Sequence, residues 1–140
     1  MHYHAAAAVL SVGDELILGQ TLDTNSKWLS MRLLEAGVEP KFHMTVPDDV
    51  NAQRDAIIYL SRLVDVIIIS GGLGPTSDDL TRNAVALATN DELIEDEISL
   101  TQIEAWYEAR GRAMPPINRV QAMRPSRGQS IPNLHGTAPG

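Results

Sequence analysis

The chain has 140 residues, 44% of them apolar and 21% charged, which fits one folded domain with a substantial core and argues against disorder. Its formal net charge of −7 disfavours a nucleic-acid scaffold, and the lack of cysteine excludes disulfides, thiolate metal sites and thiol catalysis. No stretch approaches the ~20 apolar residues of a membrane span, and the start Met1-His2-Tyr3-His4-Ala5 lacks the basic region of a secretion signal. A cytoplasmic protein with no membrane partner is therefore expected. The charge is unevenly distributed: all eighteen acids lie at or before Glu108, and Arg110, Arg112, Arg119, Arg124 and Arg127 follow with no acid among them. Either this is chance clustering in a loop-rich tail, or the tail is a cationic flap over an anionic ligand.

The first predicted strand is Ala5 to Val12, apolar and ended by Gly13. Asp14 to Asp23 reads as a polar loop. Thr24-Asn25-Ser26 then caps a helix whose Trp28, Leu29, Leu33 and Ala36 recur at helical spacing, with Gly37 as its stop. From Val38 the period changes to two: Val38, Phe42, Met44 and Val46 alternate with Glu39, Lys41, His43 and Thr45. That predicts a half-buried strand near an edge, because Pro40 has no amide to donate. Asp48-Asp49 opens a second helix with the apolar face Ala52, Ala56, Ile57, Leu60, Leu63 and Val64.

Asp65 to Ser70 is continuously apolar in its middle and reads as a central strand covered on both faces. A glycine-rich turn, Gly71-Gly72-Leu73-Gly74-Pro75-Thr76, follows at once. Leu80, Ala84, Val85, Leu87 and Ala88 predict a third helix, with Asp78 and Asp79 in its first turn. Asp91 to Arg110 predicts a fourth, and beyond Gly111 only Pro116 to Met123 looks helical. Strands and helices alternating with short connections imply a three-layer α/β/α, Rossmann-like domain over residues 1–140 with a mostly parallel sheet. With strand order 2-1-3, Gly13-Asp14-Glu15 and the glycine turn would meet at the topological switch point, where ligands bind in open α/β sheets.

Glycines let a backbone approach a phosphate closely and adopt positive φ. The turn matches neither the GxGxxG dinucleotide fingerprint nor a Walker sequence, and a tight strand-to-helix turn remains the structural alternative. An oxyanion there would face Asp14, Glu15, Asp48, Asp78 and Asp79, whose repulsion a divalent cation would offset. Asp48 could reach the cleft or simply serve the second helix. The histidines form no H-E-x-x-H pattern, and His2 and His4 read as part of a loose terminus. Trp28, Trp106 and Tyr107 fit amphipathic helix faces, and the arginine-rich tail has no aromatic to interleave with, so nucleic acid is not expected as a partner.

Ser11-Val12-Gly13-Asp14-Glu15-Leu16, Gly19 to Ser26, Gly71 to Thr81, Asn118 to Ala122 and Pro132 to Gly140, in that order, resemble the N-terminal domain of CinA-type competence/damage-inducible proteins, within the wider molybdopterin-binding (MoaB/MogA-like) family. The resemblance implies the molybdopterin-binding fold, an essential aspartate at Asp79, and a second acidic site residue at Asp48. It implies a site for a small-molecule nucleotide or pterin phosphate drawn from Gly13, Asp14, Glu15, Asn25, Gly71, Gly72, Gly74, Pro75, Thr76, Asn118, Arg119, Asn133 and Gly136. A divalent metal (Mg, Mn or Co) on Asp78 and Asp79, and self-association, are also implied. Arg119 or Arg124 would neutralise a pyrophosphate. Leu73 and Asp78 replace the threonine and arginine of the adenylyltransferase branch, which favours the CinA branch and a metal-dependent pyrophosphatase that hydrolyses ADP-ribose to AMP and ribose 5-phosphate. The alternatives are a non-catalytic pterin- or nucleotide-binding regulatory domain and a molybdopterin adenylyltransferase. The family domain continues past the last block into a further strand, so this chain is expected to be truncated there. None of the deamidase domain that some CinA proteins carry is present, and that activity is not expected.

Overall fold

A computed structural model describes residues 5–140. The readings made on His2 and His4 fall outside them. Three parallel strands, β1 (Ala5–Val12), β2 (Val38–Val46) and β3 (Val66–Ser70), form a sheet in the order β2-β1-β3. The middle place goes to β1, whose Ala7, Ala8, Val9 and Leu10 are fully buried. Its alanines are poor strand formers in isolation, but small side chains let helices approach both faces. Helix α2 (Thr24–Glu35) covers one face, where Leu29 and Leu33 pack with Ala7, Val9 and Ile68. Helices α3 (Val50–Ser61) and α4 (Thr81–Ala88) cover the other, bringing Ala56, Ile57, Leu60 and Ala84 onto Ala8, Leu10 and Val12. These are the three layers the alternation predicts.

The strand β3 lies at the edge of this sheet rather than at its centre. A continuous apolar run reports that both faces are covered, as they are: Ile68 packs toward α2, Ile67 and Ile69 toward α3 and α4. It carries no information about whether both edges are paired. The strand β2 is the other edge, as Pro40 requires, and its alternation is broken. The register jumps between Ala7↔Pro40 and Ala8↔Phe42, leaving Lys41 as an extra residue. A one-residue bulge moves everything after it to the opposite face, so Val38 packs toward α2 while Met44 and Val46 pack toward α3. Phe42, expected inside, is left 36% exposed beside the bulge.

Helix boundaries follow their caps. The Asp23 side chain accepts from the Ser26 amide at 3.0 Å and starts α2, which stops at Gly37 with φ 76°. Asp49 accepts from the Ala52 amide at 2.7 Å and starts α3. Within the segment expected to be a loop, Asp14–Ile17 makes one short helix, α1.

The remaining chain adds an antiparallel pair, β4 (Leu93–Glu95) with β5 (Met123–Pro125), helix α5 (Glu97–Glu108) and a 3₁₀ helix at Pro116–Ala122 that packs on α5. This pair explains the uneven charge. Arg119 pairs with Glu95 at 2.6 Å, Arg124 with Asp96 at 3.2 Å and Arg127 with Asp91 at 3.3 Å. Arg110 lies over the Trp106 ring at 3.6 Å. The arginine-rich tail is therefore tied to the acid-rich stretch before it and is not a free cationic flap. Among the described residues no helix is long and apolar enough to cross a membrane.

Candidate functional site

Parallel strands end together, so the loops after β1, β2 and β3 meet at one edge of the sheet. The loop after β1 is stapled to that after β2. The Gly13 amide donates to Val46 O at 3.1 Å, the Asp14 amide to Asp48 Oδ2 at 3.2 Å, and the Asp48 amide to Asp14 Oδ1 at 3.0 Å. Against β3 the approach is closer still. Gly71 has φ 104°, and a Cβ there would collide with Val12 O. Only glycine permits this contact between the β1 and β3 ends.

A cleft of about 180 Å³ opens at this junction, lined by Ser11, Val12, Glu15, Leu16, Thr21 to Asn25, Ser70 and Gly71. Its floor is a polar chain. Ser11 Oγ donates to Asp23 Oδ2 at 2.5 Å, and Asn25 Nδ2 donates to Ser70 Oγ at 3.0 Å. Burial works against a charge on Asp23, but bonds from Ser11 and Ser26, and then His43, hold its carboxyl below the usual aspartate range. The bulge in β2 turns His43 toward α2, where its Nε2 lies 2.5 Å from Ser30 Oγ, rather than to a polar side of the strand.

The glycine turn starts from β3 at this cleft, where Gly71 is part of the lining, and runs on to Leu73, which borders a second cavity with Thr81, Arg82 and Val85. Its φ values at Gly71 and Gly72 are 104° and 67°. Asp78 and Asp79 were expected in the first turn of α4; instead they precede it, because the Asp79 side chain turns back on the loop. Its Oδ2 accepts from the Thr76 amide at 2.8 Å and from Thr76 Oγ1 at 2.6 Å. Partial burial opposes its charge, but Thr76, the Gly74 amide and the nearby Arg82 guanidinium hold the Asp79 carboxyl below its ordinary value. Asp79 thus shapes the loop as an ionised residue. Asp78 is exposed beside it.

The structure brings Gly13, Asp14, Glu15, Asn25, Asp48, Gly71, Gly72, Gly74, Pro75, Thr76 and Asp79 to these neighbouring loops. It places four others elsewhere. Asn118 is buried and donates to Gln121 Oε1 at 2.9 Å, and Arg119 forks onto Glu95. Asn133 and Gly136 border a small cavity against Ser99, Ile103 and Trp106 of α5. Arg124 is likewise occupied, by Asp96 and by the carbonyls of Pro125, Ser126 and Gly128. Residues passed over in the sequence also matter. Ser11, Asp23 and Ser70 build the cleft floor, and Thr81 and Arg82 contact the glycine turn from behind. Asp23 could have been found as an acid three residues before Ser26, the spacing of an N-cap. Arg82 carried no such signal.

Among the described residues no three acids or histidines converge as a ready metal site. The donor chemistry fits a cation only in the way Mg²⁺ is often held, by one or two carboxylates with the remaining ligands from phosphate oxygens and water.

A parallel three-layer domain with a glycine loop and an acid-bordered cleft at its switch point defines an α/β ligand-binding domain of the open-sheet class. Residues 8–140 match the family model described as "Probable molybdopterin binding domain", and the chain belongs to that family, in its CinA-type branch. It is 41% identical over 133 residues to a CinA-like protein of Geobacter sulfurreducens, covering 95% of this chain and 32% of that one. The chain spans about a third of the length of the curated relatives it matches. The crystal structure of the protein CinA from Thermoplasma acidophilum superposes with a TM-score of 0.89 at 32% identity, over 96% of this chain and 79% of that one. A tungsten cofactor synthesizing protein MoaB from Pyrococcus furiosus, 22% identical, shares the fold with a TM-score of 0.54 over 76% of this chain and 65% of its own.

Proposed function

We propose that the domain binds a phosphorylated pterin or nucleotide, with the phosphate on the Gly71–Thr76 turn and the ring in the adjoining cleft. The observation that supports this most strongly is the contact of Gly71 with the end of β1, which puts the start of a positive-φ glycine turn in the lining of a cleft with both polar and apolar walls. Leu16 and Leu22 offer apolar surface to a ring, and Asn25, Ser70 and Ser11 offer hydrogen-bonding groups to its edge. Such a mixture of apolar surface and a few placed polar groups is what small-ligand sites require.

A second reading, metal-dependent pyrophosphate cleavage of ADP-ribose or a similar nucleoside diphosphate sugar, is favoured by the acids on the same loops. Asp14, Glu15, Asp48 and Asp79 would repel a bound diphosphate unless a cation intervened. In this reading Asp79, with Asp78 or Asp48, would hold Mg²⁺, Mn²⁺ or Co²⁺, which would supply charge neutralisation at the phosphate. The protein's own part is to present the loop amides and to shelter the bond in the cleft.

Calorimetric titration with AMP, ADP-ribose and a pterin phosphate, with and without each metal, tests the binding reading, and AMP release from ADP-ribose tests the second. Saturable binding without AMP release supports a binding domain. Metal-dependent release that Asp79→Asn abolishes supports the hydrolase. No binding of any of the three ligands would refute both.

A further inference from the structure

Two hydrogen bonds join the start of the glycine turn to α4, and both end on Thr81. Gly71 O accepts from Thr81 Oγ1 at 2.8 Å, and Gly72 O accepts from the Thr81 amide at 3.2 Å. Thr81 opens α4 and is only 5% exposed, so both bonds lie inside the protein. No side chain caps this helix. Its first amide is taken by Gly72 O and is not left for an anion. The approach is so close that a Cβ at Gly72 would collide with Thr81 Oγ1.

In a trans peptide unit the carbonyl and the amide that follows it point in opposite directions. The amides that follow Gly71 O and Gly72 O are those of Gly72 and Leu73. With both carbonyls drawn onto Thr81, these two amides leave the turn on the side away from it. Among the described residues neither has a backbone acceptor. The next donors are already used, since the Gly74 and Thr76 amides are turned onto Asp79 and Pro75 has no amide hydrogen. Beyond Gly71, the free backbone donors of the turn are therefore Gly72 and Leu73.

We propose that Thr81 is a positioning residue for the phosphate-binding turn: its hydroxyl and its amide hold two consecutive carbonyls and thereby aim the Gly72 and Leu73 amides at the bound anion. This rests on the phosphate-binding reading above. Amides fixed before the ligand arrives need not be ordered when it binds, which lowers the cost of association. Only the bond to Gly71 O comes from the Thr81 side chain. A substitution therefore frees the peptide that carries the Gly72 amide, while the bond from the Thr81 amide still holds the one that carries the Leu73 amide.

The test uses the ¹⁵N-labelled chain titrated with inorganic pyrophosphate, with and without Mg²⁺, comparing wild type with Thr81→Val and Thr81→Ser. Valine keeps the shape of the side chain and removes the donor; serine keeps the donor. The wild type is expected to show saturable amide shifts at Gly72 and Leu73. The valine variant is expected to bind about fivefold more weakly, the equivalent of one neutral hydrogen bond, and to lose the shift at Gly72 more than that at Leu73. The serine variant is expected to restore both. A folded valine variant with wild-type affinity, or a serine variant with markedly reduced affinity, would overturn the role of Thr81 alone. If valine does not give a dispersed spectrum, the serine variant still decides. Saturable shifts elsewhere in the wild type but none at Gly72 and Leu73 would also overturn it. No response anywhere in the wild type would overturn it together with the phosphate-binding reading.

Discussion

Asp14 and Asp48, thirty-four residues apart, exchange two hydrogen bonds in which the backbone amide of each is held by the carboxylate of the other. The exchange fixes the loop after β1 to the loop after β2 and leaves two negative charges side by side at the cleft edge. Asp48→Ala removes one of the two bonds. At this partly exposed position the cost to stability is expected to be roughly 0.5–1.5 kcal/mol, the net worth of a single hydrogen bond. Urea unfolding measures it, and an unchanged midpoint would show that the staple does not form in solution.

Acid should weaken the domain in a defined direction. Asp23 and Asp79 are both held below the ordinary aspartate value, so each binds its proton less readily folded than unfolded. Their contributions are complete above about pH 4 and fade as the pH falls through the lower native values. Thermal melts from pH 7 to pH 2 should be flat at first and then decline, and Asp79→Asn should remove part of that decline. An identical slope in the variant would contradict the depressed value.

Two glycines with nearly equal φ separate backbone strain from crowding. Gly19 and Gly72 have φ 69° and 67°, but a Cβ at Gly19 meets nothing within 4 Å, whereas at Gly72 it collides with Thr81 Oγ1. Gly19→Ala should cost about 1 kcal/mol, the penalty for a left-handed alanine. Gly72→Ala should cost more and should also weaken phosphate binding, because Thr81 must move. Equal costs in chemical unfolding would show that the turn relaxes freely.

Arg119 was expected to neutralise a ligand phosphate, yet it is forked onto Glu95 on β4. Arg119→Ala should therefore leave AMP affinity unchanged. A substantial loss of affinity would return Arg119 to the site.

Much of this arrangement was legible in the residues. Alternating strand and helix patterns, with Pro40 marking an edge, pointed to a parallel three-layer domain; the order 2-1-3 entered only as a condition, and the observed order β2-β1-β3 meets it and brings Gly13-Asp14-Glu15 beside Gly71. Local patterns could not reveal what depends on distant partners. Leu93–Glu95 is a three-residue strand inside an acid-rich stretch, and its partner Met123–Pro125 lies thirty residues away and ends in proline. The bulge at Lys41 is likewise invisible in composition, since it exists only relative to β1. Asp79 was identified, but its attachment to Thr76 was not, because a carboxylate at the start of a helix usually reads as a dipole partner. The placements of Asn118, Arg119, Asn133 and Gly136 were expected from resemblance alone, and no periodicity bore on them.

The central claim is that a phosphorylated ring ligand occupies the cleft between the ends of β1 and β3. A crystal structure of the chain soaked with AMP tests it most directly. The account predicts phosphate density on the amides of Gly72 and Leu73, with the ring between Leu16, Leu22 and Asn25. AMP bound instead in the cavity bordered by Asn133, Gly136 and Trp106, or no AMP density at saturating concentration, would contradict it.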